Sequence, residues 1–315
     1  MIGYILRRLL HLVPVLLLGS AAVWAIIYAV PGDPISVLAG ENATPEQIAA
    51  ATALYGLDRP VLVQYADWLW RALRGDFGTS IHASEPVLGL IVERLPATFQ
   101  LAFLATLVAL VLGIPVAIAS AVKPGSWVDR ILSLWNALTL GVPTFWLGIL
   151  LILWFSVEMR WLPSASAYVP LWEDPVAALR SLILPAVTLG LYVSGVLARF
   201  LRASLVAEMR SDYVRTARSK GLPEWHVVSV HILRNALLPF VTIVGLMMAN
   251  FIGGAVVTEA VFTYPGLGRL LIQAISTRDY PLIQGCIIVI MLIYILINLL
   301  VDVIYAYIDP RIEYK

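Results

Sequence analysis

Four histidines, one cysteine and three lysines are the residues with which this 315-residue chain could hold a metal, form a thiolate or cradle a phosphate. A zinc hydrolase needs two imidazoles on one helical face with a carboxylate beside them, as HExxH supplies, and His11, His82, His226 and His231 contain no such pair. His226 and His231 stand five apart, an interval that sets two rings on different faces of an α-helix. Lys123, Lys220 and Lys315 all lie outside any GxxxxGK[ST] pattern, so the chain builds no phosphate-binding loop of that type. Cys286 sits in an apolar run and has no second cysteine to pair with, and alone it does not report the redox compartment. Intramembrane proteolysis would need an Asp, Ser/His or metal set inside apolar segments, and none is visible. The catalytic and metal sets are therefore expected to be empty, with no cofactor bound by this chain.

What remains is a concentration of charge with a mechanical look. The stretch DYVRTARSKGL, Asp212 to Leu222, lies in a chain that is otherwise mostly apolar. Asp212 is placed to cap a short helix on which Tyr213, Val214 and Ala217 share one side, while Arg215, Arg218 and Lys220 point elsewhere. Gly221 is a left-handed stop. Pro223 suits the first position of a second helix, with Glu224 in its first turn and Trp225, Val228 and Ile232 along it. A helix, a Gly-Leu-Pro corner and another helix form a rigid amphipathic element suited to docking in a groove on a partner. The competing reading is a basic loop that fixes topology or touches anionic lipid, although neither the corner nor the apolar stripe is needed for that. A second motif, TYPGLGRLL from Thr263 to Leu271, combines a Pro-Gly turn with a further glycine and reads by itself as a tight reversal.

The elements that must carry these motifs follow from composition. With 60% hydrophobic and 13% charged residues the chain is an all-α polytopic membrane protein, and a net charge of +1 gives no field to gather nucleic acid. Apolar stretches long enough to cross about 30 Å of hydrocarbon occur at Leu9–Val30, Thr98–Val122, Ile131–Val157, Leu182–Phe200, Ala236–Thr258 and Ile283–Ile308, giving six transmembrane helices. The first follows Arg7 and Arg8 like a signal peptide but is too long for an h-region of about 7 to 15 residues, and is read as a retained anchor. With the N-terminus inside, thirteen of the 21 Lys and Arg residues fall on the cytoplasmic side, so both termini are expected there.

Between the first two spans, residues 31–96 are expected to form a small helical external region. Thr44, Pro45 and Gln47 make a capping box ahead of a helix that Gly56 stops, Pro60 opens a second helix that Gly75 ends, and Pro86 to Leu95 leads into the second span. The spans themselves hold almost no ionisable residues. Asp302 is the exception, read as a snorkelling or packing residue one turn from Asn298, with Asn136 and Asn250 the other notable polar groups. Trp24, Tyr28, Trp154, Trp161 and Tyr305 are expected in interfacial belts. If the protein moves a solute, energy should come from outside the membrane.

Several stretches together resemble the membrane subunits of binding-protein-dependent ABC importers, in the dipeptide, oligopeptide, nickel and glutathione group. They are RRLLHLVPVLL and PGDP near the N-terminus, GDFGTS, RLPATFQLAF, DYVRTARSKGL with LRNALLP, EAVFTYPGLGRLL, RDYPLIQG and INLLVDVIYAYIDPRI, and they cover nearly the whole chain. Arg215, Thr216 and Ala217 stand where the name-giving letters of the family's EAA motif would be, and Gly221 matches its glycine. The motif's glutamate is missing, and Pro239 lies further beyond Gly221 than in the generic pattern, departures that fit the peptide-type branch.

The resemblance implies a type I permease fold: an N-terminal end and first span at 1–30, the external region at 31–96, a permease core at 97–308 with a coupling loop at 201–235, and a tail at 309–315. It implies that Asp212, Tyr213, Arg215, Thr216, Ala217, Arg218, Lys220, Gly221 and Leu222 dock on an ATPase. Tyr264, Pro265, Gly266 and Gly268 would belong to the external gate or to the surface that meets a binding protein. The implied partners are a second, similar permease subunit, two ATPase subunits that use ATP and Mg, an external solute-binding protein and membrane lipid, in a bacterial or archaeal inner membrane. Peptides lead as the solute, with glutathione and nickel as alternatives. An autonomous channel, an ion-coupled carrier and a structural scaffold are the readings from other classes.

Overall fold

The computed structural model describes residues 2–29, 44–55 and 58–308, and among them almost every residue is helical, with one isolated antiparallel bridge between Thr79 and Pro86. The helices are α1 (Ile2–Ala29), α2 (Pro45–Tyr55), α3 (Val61–Leu73), α4 (Val87–Val122), α5 (Trp127–Gly141), α6 (Thr144–Leu151), α7 (Pro175–Glu208), α8 (Asp212–Ser219), α9 (Glu224–His226), α10 (Leu233–Val261), α11 (Leu267–Ser276) and α12 (Tyr280–Ile308). Two π-helical turns, Ile152–Glu158 and Val227–Ile232, follow α6 and α9. The PGDP motif, Gly56 and the tail with Arg311 and Lys315 lie outside the described residues.

Three helices among the described residues are long and apolar enough to cross a membrane unbroken: Val87–Val122, Pro175–Glu208 and the part Tyr280–Ile304 of α12. Two bent pairs add a candidate span each, and α1 contributes the apolar stretch Leu12–Ala25. The third expected span is corrected here. Ile131–Val157 is not one helix but two, α5 and the run Thr144–Glu158, meeting at 99°. The break has a covalent cause: Pro143 has no N–H to give to the helical ladder, and its ring pushes Val142 into the extended conformation it adopts, φ −88° and ψ 124°. Pro239 marks a gentler bend of 53° between Glu224–Leu237 and Pro239–Phe251.

The chain divides into two compact units. The first comprises Met1–Pro96 and Gly266–Ile295. In it the capping box forms as expected: Thr44 N donates to Gln47 Oε1 at 2.8 Å, and Gln47 N donates to Thr44 Oγ1 at 3.3 Å. Helix α3 follows Pro60 and ends at Arg74, with Gly75 at φ +80°. It is held to α1 by a 2.8 Å hydrogen bond between the hydroxyls of Ser20 and Tyr65, and by an edge-on contact of Trp24 with the Tyr65 ring. The GDFGTS and RDYPLIQG motifs meet, because Ser80 Oγ donates to the buried Asp279 carboxylate at 2.6 Å. Around them pack Val87, Ile91, Leu267, Leu270, Leu282, Ile283 and Cys286.

The second unit comprises Ala97–Pro265 and Leu296–Lys315. Its centre is α7, where Leu182, Ala186, Leu189, Val193, Leu197, Leu201 and Leu205 are all buried. Lipid is as apolar as leucine, so close backbone approach rather than hydrophobicity alone must hold such helices together. Gly190 permits it: a Cβ there would stand 2.7 Å from the Val108 side chain and 2.8 Å from the Ala105 carbonyl oxygen. At the start of α5, Ser126 caps the helix by accepting from Asp129 N at 3.2 Å.

Candidate functional site: the corner at Asp212–Leu222

The corner is built from the end of α7 to the start of α10. Glu208 closes α7, a short turn follows, and α8 starts at Asp212. Ser211, not Asp212, is the capping position, and its side chain makes no capping bond. Asp212 instead occupies the first turn, where a carboxylate is favoured by the positive end of the helix dipole. The helix closes at Lys220, and Gly221 turns the chain at φ +75°, a conformation that costs a side chain with a Cβ about 1 to 2 kcal/mol. Pro223 is the capping residue of α9 rather than its first position, and Glu224 stands in the first turn as expected.

The apolar stripe faces the chain's own core. Val214 is fully buried and Ala217 nearly so, in one cluster with Leu201, Leu205, Val227, Val228 and Ile232. Leu222 is half-buried against the same cluster. Tyr213 does not join the stripe. It is exposed, and its hydroxyl donates to a Glu208 carboxylate oxygen and accepts from Asn235 Nδ2 at 2.9 Å, so one phenol ties α8 to both neighbouring helices. Trp225 is also exposed, while Val228 and Ile232 are buried.

The outward face is polar and cationic. Asp212, Arg215, Thr216, Arg218, Ser219, Lys220 and Gly221 are exposed. Arg218 spans the corner with a two-pronged contact to Glu224, Nη2 to Oε1 at 2.6 Å and Nε to Oε2 at 3.1 Å. That hydrogen bond, with the Glu224 charge behind it, raises the Arg218 pKa above its already high value, so the pair stays ionised. Arg215 reaches Asp212 at 3.8 Å along the helix, leaving its guanidinium open to a further acceptor.

The two histidines behind the corner depart from the sequence reading. Their rings lie together, with centroids 5.8 Å apart and planes at 74°. The reason is the π-helical turn Val227–Ile232, whose i to i+5 pairing makes residues five apart neighbours. No group of three or more His, Cys, Asp or Glu residues is arranged to hold a metal ion among the described residues.

At the other end of the unit the EAVFTYP stretch is packed, not displayed. Tyr264 has no exposed surface and Pro265 is half-buried. In the first unit, Gly266 and Gly268 are buried at the start of α11. Thr263 turns at φ 51°, Tyr264 N donates to Glu259 O at 2.8 Å, and Ser166 N donates to Phe262 O at 2.9 Å. Burial, with the Glu259 charge nearby, pushes the Tyr264 phenol pKa up.

Sequence reasoning missed two carboxylates. Glu259 is fully buried and accepts from Thr98 Oγ1 at 2.7 Å. It lies one residue beyond the expected end of the fifth span, whereas α10 runs on to Val261. Asp129, also buried, accepts from Arg202 Nη2 at 2.9 Å, from Ser120 Oγ and from Gly125 N at 2.9 Å. The signal for it was an Asp three residues after a capping Ser, beside a Gly turn.

Comparison with known proteins fits this architecture. Residues 90–314 match the family model "Binding-protein-dependent transport system inner membrane component", and residues 1–102 match the model of that family's N-terminal region. A putative peptide transport system permease protein of Brucella abortus (strain 2308) is 42% identical over 314 residues, covering 100% of both chains. The glutathione transport system permease protein GsiC of Salmonella choleraesuis is 42% identical over 315 residues, again covering 100% of both. Among solved structures, the inward-facing MetNI methionine ABC transporter shares the fold, with TM-score 0.59 at 21% identity over 72% of this chain and 99% of that one. An all-helical membrane fold and family matches spanning the whole sequence lead to one conclusion: the chain belongs to the binding-protein-dependent transport system inner membrane components, the non-catalytic membrane subunits of ABC importers.

Proposed function

We propose that this chain is one of two membrane subunits of a peptide importer and that Asp212 to Leu222 is the lever through which a soluble ATPase moves it. The observation that carries the reading is the orientation of α8: Val214 and Ala217 are sunk in the chain's own core, and Arg215, Thr216, Arg218 and Lys220 face outward. A helix fixed at its apolar side and free at its polar side transmits force instead of rolling. Docking then uses charge and hydrogen bonds, not the apolar stripe.

In this scheme two ATPase subunits bind ATP and Mg and close. Their closure pushes α8, and Tyr213, through Glu208 and Asn235, passes the displacement to α7 and α10 together. A solute-binding protein delivers the solute on the outer side. Thirteen of the 21 basic residues lie on the side we assign to the cytoplasm, where both termini belong. Tyr264, Pro265, Gly266 and Gly268 would serve the external gate as packed, stiff parts, since their burial leaves little surface for a soluble partner. Peptide uptake is favoured for the solute by the 42% identity to permeases named for peptide and glutathione transport.

Gly221 gives the test. A Cβ there meets nothing within 4 Å, so a substitution strains the backbone without striking a neighbour. Gly221→Val in the reconstituted complex should lower ATP-driven uptake by about tenfold while ATP hydrolysis persists, because β-branched residues resist positive φ. Uptake at the unaltered rate, with the complex assembled, would refute the lever.

A further inference from the structure

Helix α3 belongs to the region that the sequence places outside the membrane, yet it packs beside residues at membrane depth. With Trp68, Leu69 and Ala72 it lines a cavity of about 300 Å³ whose wall continues through Leu16 and Ser20 of α1 and Met291 of α12. Met291 stands close to the middle of the candidate span Tyr280–Ile304, and Leu16 and Ser20 lie inside the apolar stretch Leu12–Ala25. The Ser20 and Tyr65 hydroxyls, 2.8 Å apart, both reach the Leu17 carbonyl, at 3.0 and 3.2 Å, so the polar atoms of this contact are satisfied within the protein. All these residues belong to the first unit.

A second face of α3 is apolar and uncovered. Leu62, Ala66, Trp70 and Leu73, at intervals of four, four and three, form one helical stripe, and all four are exposed, Leu62 and Leu73 at 80% and 72%. A water-soluble cap would turn such a stripe into its own core, whereas a helix lying in a leaflet turns it to lipid. The charged groups beside the stripe suit an interface. Arg59 pairs with Asp67 at 2.8 Å, and the Arg74 guanidinium lies 4.4 Å from the centre of the Trp70 ring, so the cation rests on an aromatic face.

The cavity calls for the same surroundings. Of the residues that line it, Ser20 alone carries a hydroxyl, already bonded, and among the described residues no charged one lines it. An apolar cavity of this size stays dry and takes an apolar guest. Inside a bilayer that guest is a hydrocarbon chain. We infer that α3 lies within a leaflet of the membrane and that the groove it forms with α1 and α12 seats one acyl chain of a phospholipid. A chain seated there joins α3 to both neighbours by dispersion contacts that an empty groove would forfeit. The wall reads the chain and leaves the headgroup unread, since it presents no charge. The inference goes beyond the importer reading and does not depend on it.

The test uses the full chain in nanodiscs of phosphatidylcholine that carries a photoactivated diazirine at mid-chain. Adducts should map to Leu69 and Met291 in the groove, and unlabelled phosphatidylglycerol and phosphatidylcholine should compete for them within about twofold of each other, because chain burial sets the affinity. Ala72→Trp fills the groove and should cut those adducts about fivefold or more, with labelling of Leu62 and Trp70 unchanged. The parent's adduct map needs no variant, so it decides even if Ala72→Trp fails to fold. Cys286 is the chain's one cysteine, and in a Cys286→Ala background the stripe can be probed from water. Leu73→Cys should react with a charged, water-soluble maleimide about tenfold or more slowly than Glu85→Cys, placed in an exposed bend, because a thiol in hydrocarbon stays protonated. Groove adducts absent from the parent, or left unchanged by a folded Ala72→Trp, would overturn the acyl seat. Leu73→Cys reacting as fast as Glu85→Cys would put α3 in water and overturn the whole inference, and protection of that thiol by a soluble binding protein would give the stripe a protein partner instead.

Discussion

The corner at Asp212–Leu222 and the EAVFTYP reversal both turn the chain and are built in opposite ways. At the corner, Val214 and Ala217 are buried so that Arg215, Thr216 and Lys220 can stay exposed. At the reversal the motif residues themselves go inside: Glu259, Phe262 and Tyr264 have no exposed surface. Both contain a residue at positive φ, Gly221 in one and Thr263 in the other. Gly221 takes that conformation with empty space around it, as a corner does that must present a surface. Thr263 takes it next to fully buried neighbours, where tertiary packing enforces what a β-branched residue resists. A motif can thus be distinctive because it is displayed or because it is packed, and only the first kind announces a docking surface.

If this contrast is right, truncating the reversal should cost more stability than truncating the corner. Tyr264→Ala removes a fully buried ring and should destabilise the detergent-solubilised protein by about 3 to 5 kcal/mol. Val214→Ala should cost about 1 to 2 kcal/mol, since it deletes two methyl groups from the smaller anchor of α8. Thermal unfolding followed by tryptophan fluorescence ranks the two, and a larger loss at Val214 would break the contrast. Uptake should rank them the other way per unit of stability lost, because loosening α8 slackens the lever. Tyr264→Phe sharpens the point. The phenol oxygen is buried without a hydrogen-bond partner among the described residues, so its removal should be neutral or stabilising by about 1 kcal/mol.

The same contrast explains which features were legible in the sequence. Capping chemistry is local, so Thr44 and Gln47, Pro60 and Gly221 could be read directly from residue type and spacing. Span positions were legible because twenty apolar residues have few other uses. The break at Val142–Pro143 was written in its proline, but a hydropathy run averages over one residue, and the two halves were joined. The His226–His231 contact was misread because spacing rules assume a regular α-helix, and a π-helical turn changes which residues are neighbours. Glu259 is a long-range feature: its partner Thr98 lies far away in sequence, so nothing local could mark it as buried, whereas Asp129 joins a distant Arg202 to local partners, Gly125 and Ser126, that did carry a signal. Tyr213 was assigned to the apolar stripe because its ring is apolar, but its hydroxyl found Glu208 and Asn235.

The smallest effect on stability tests the displayed character of the corner most directly. Arg218 and Glu224 form a two-pronged pair that is about half exposed, 42% and 52% at the side chains. Solvent screens such pairs, so Arg218→Ala should change stability by less than about 0.5 kcal/mol. If the outward face of α8 docks on an ATPase through charge, the same substitution should weaken assembly measurably, and the weakening should fade as ionic strength rises and the Debye length shrinks. Titrating the ATPase onto the reconstituted permease at low and high salt separates the outcomes. A loss of affinity at low salt that narrows at high salt fits a displayed cationic surface. A loss of stability with no change in ATPase binding would mean that Arg218 only braces the corner, and the two bends would differ less than their burial implies.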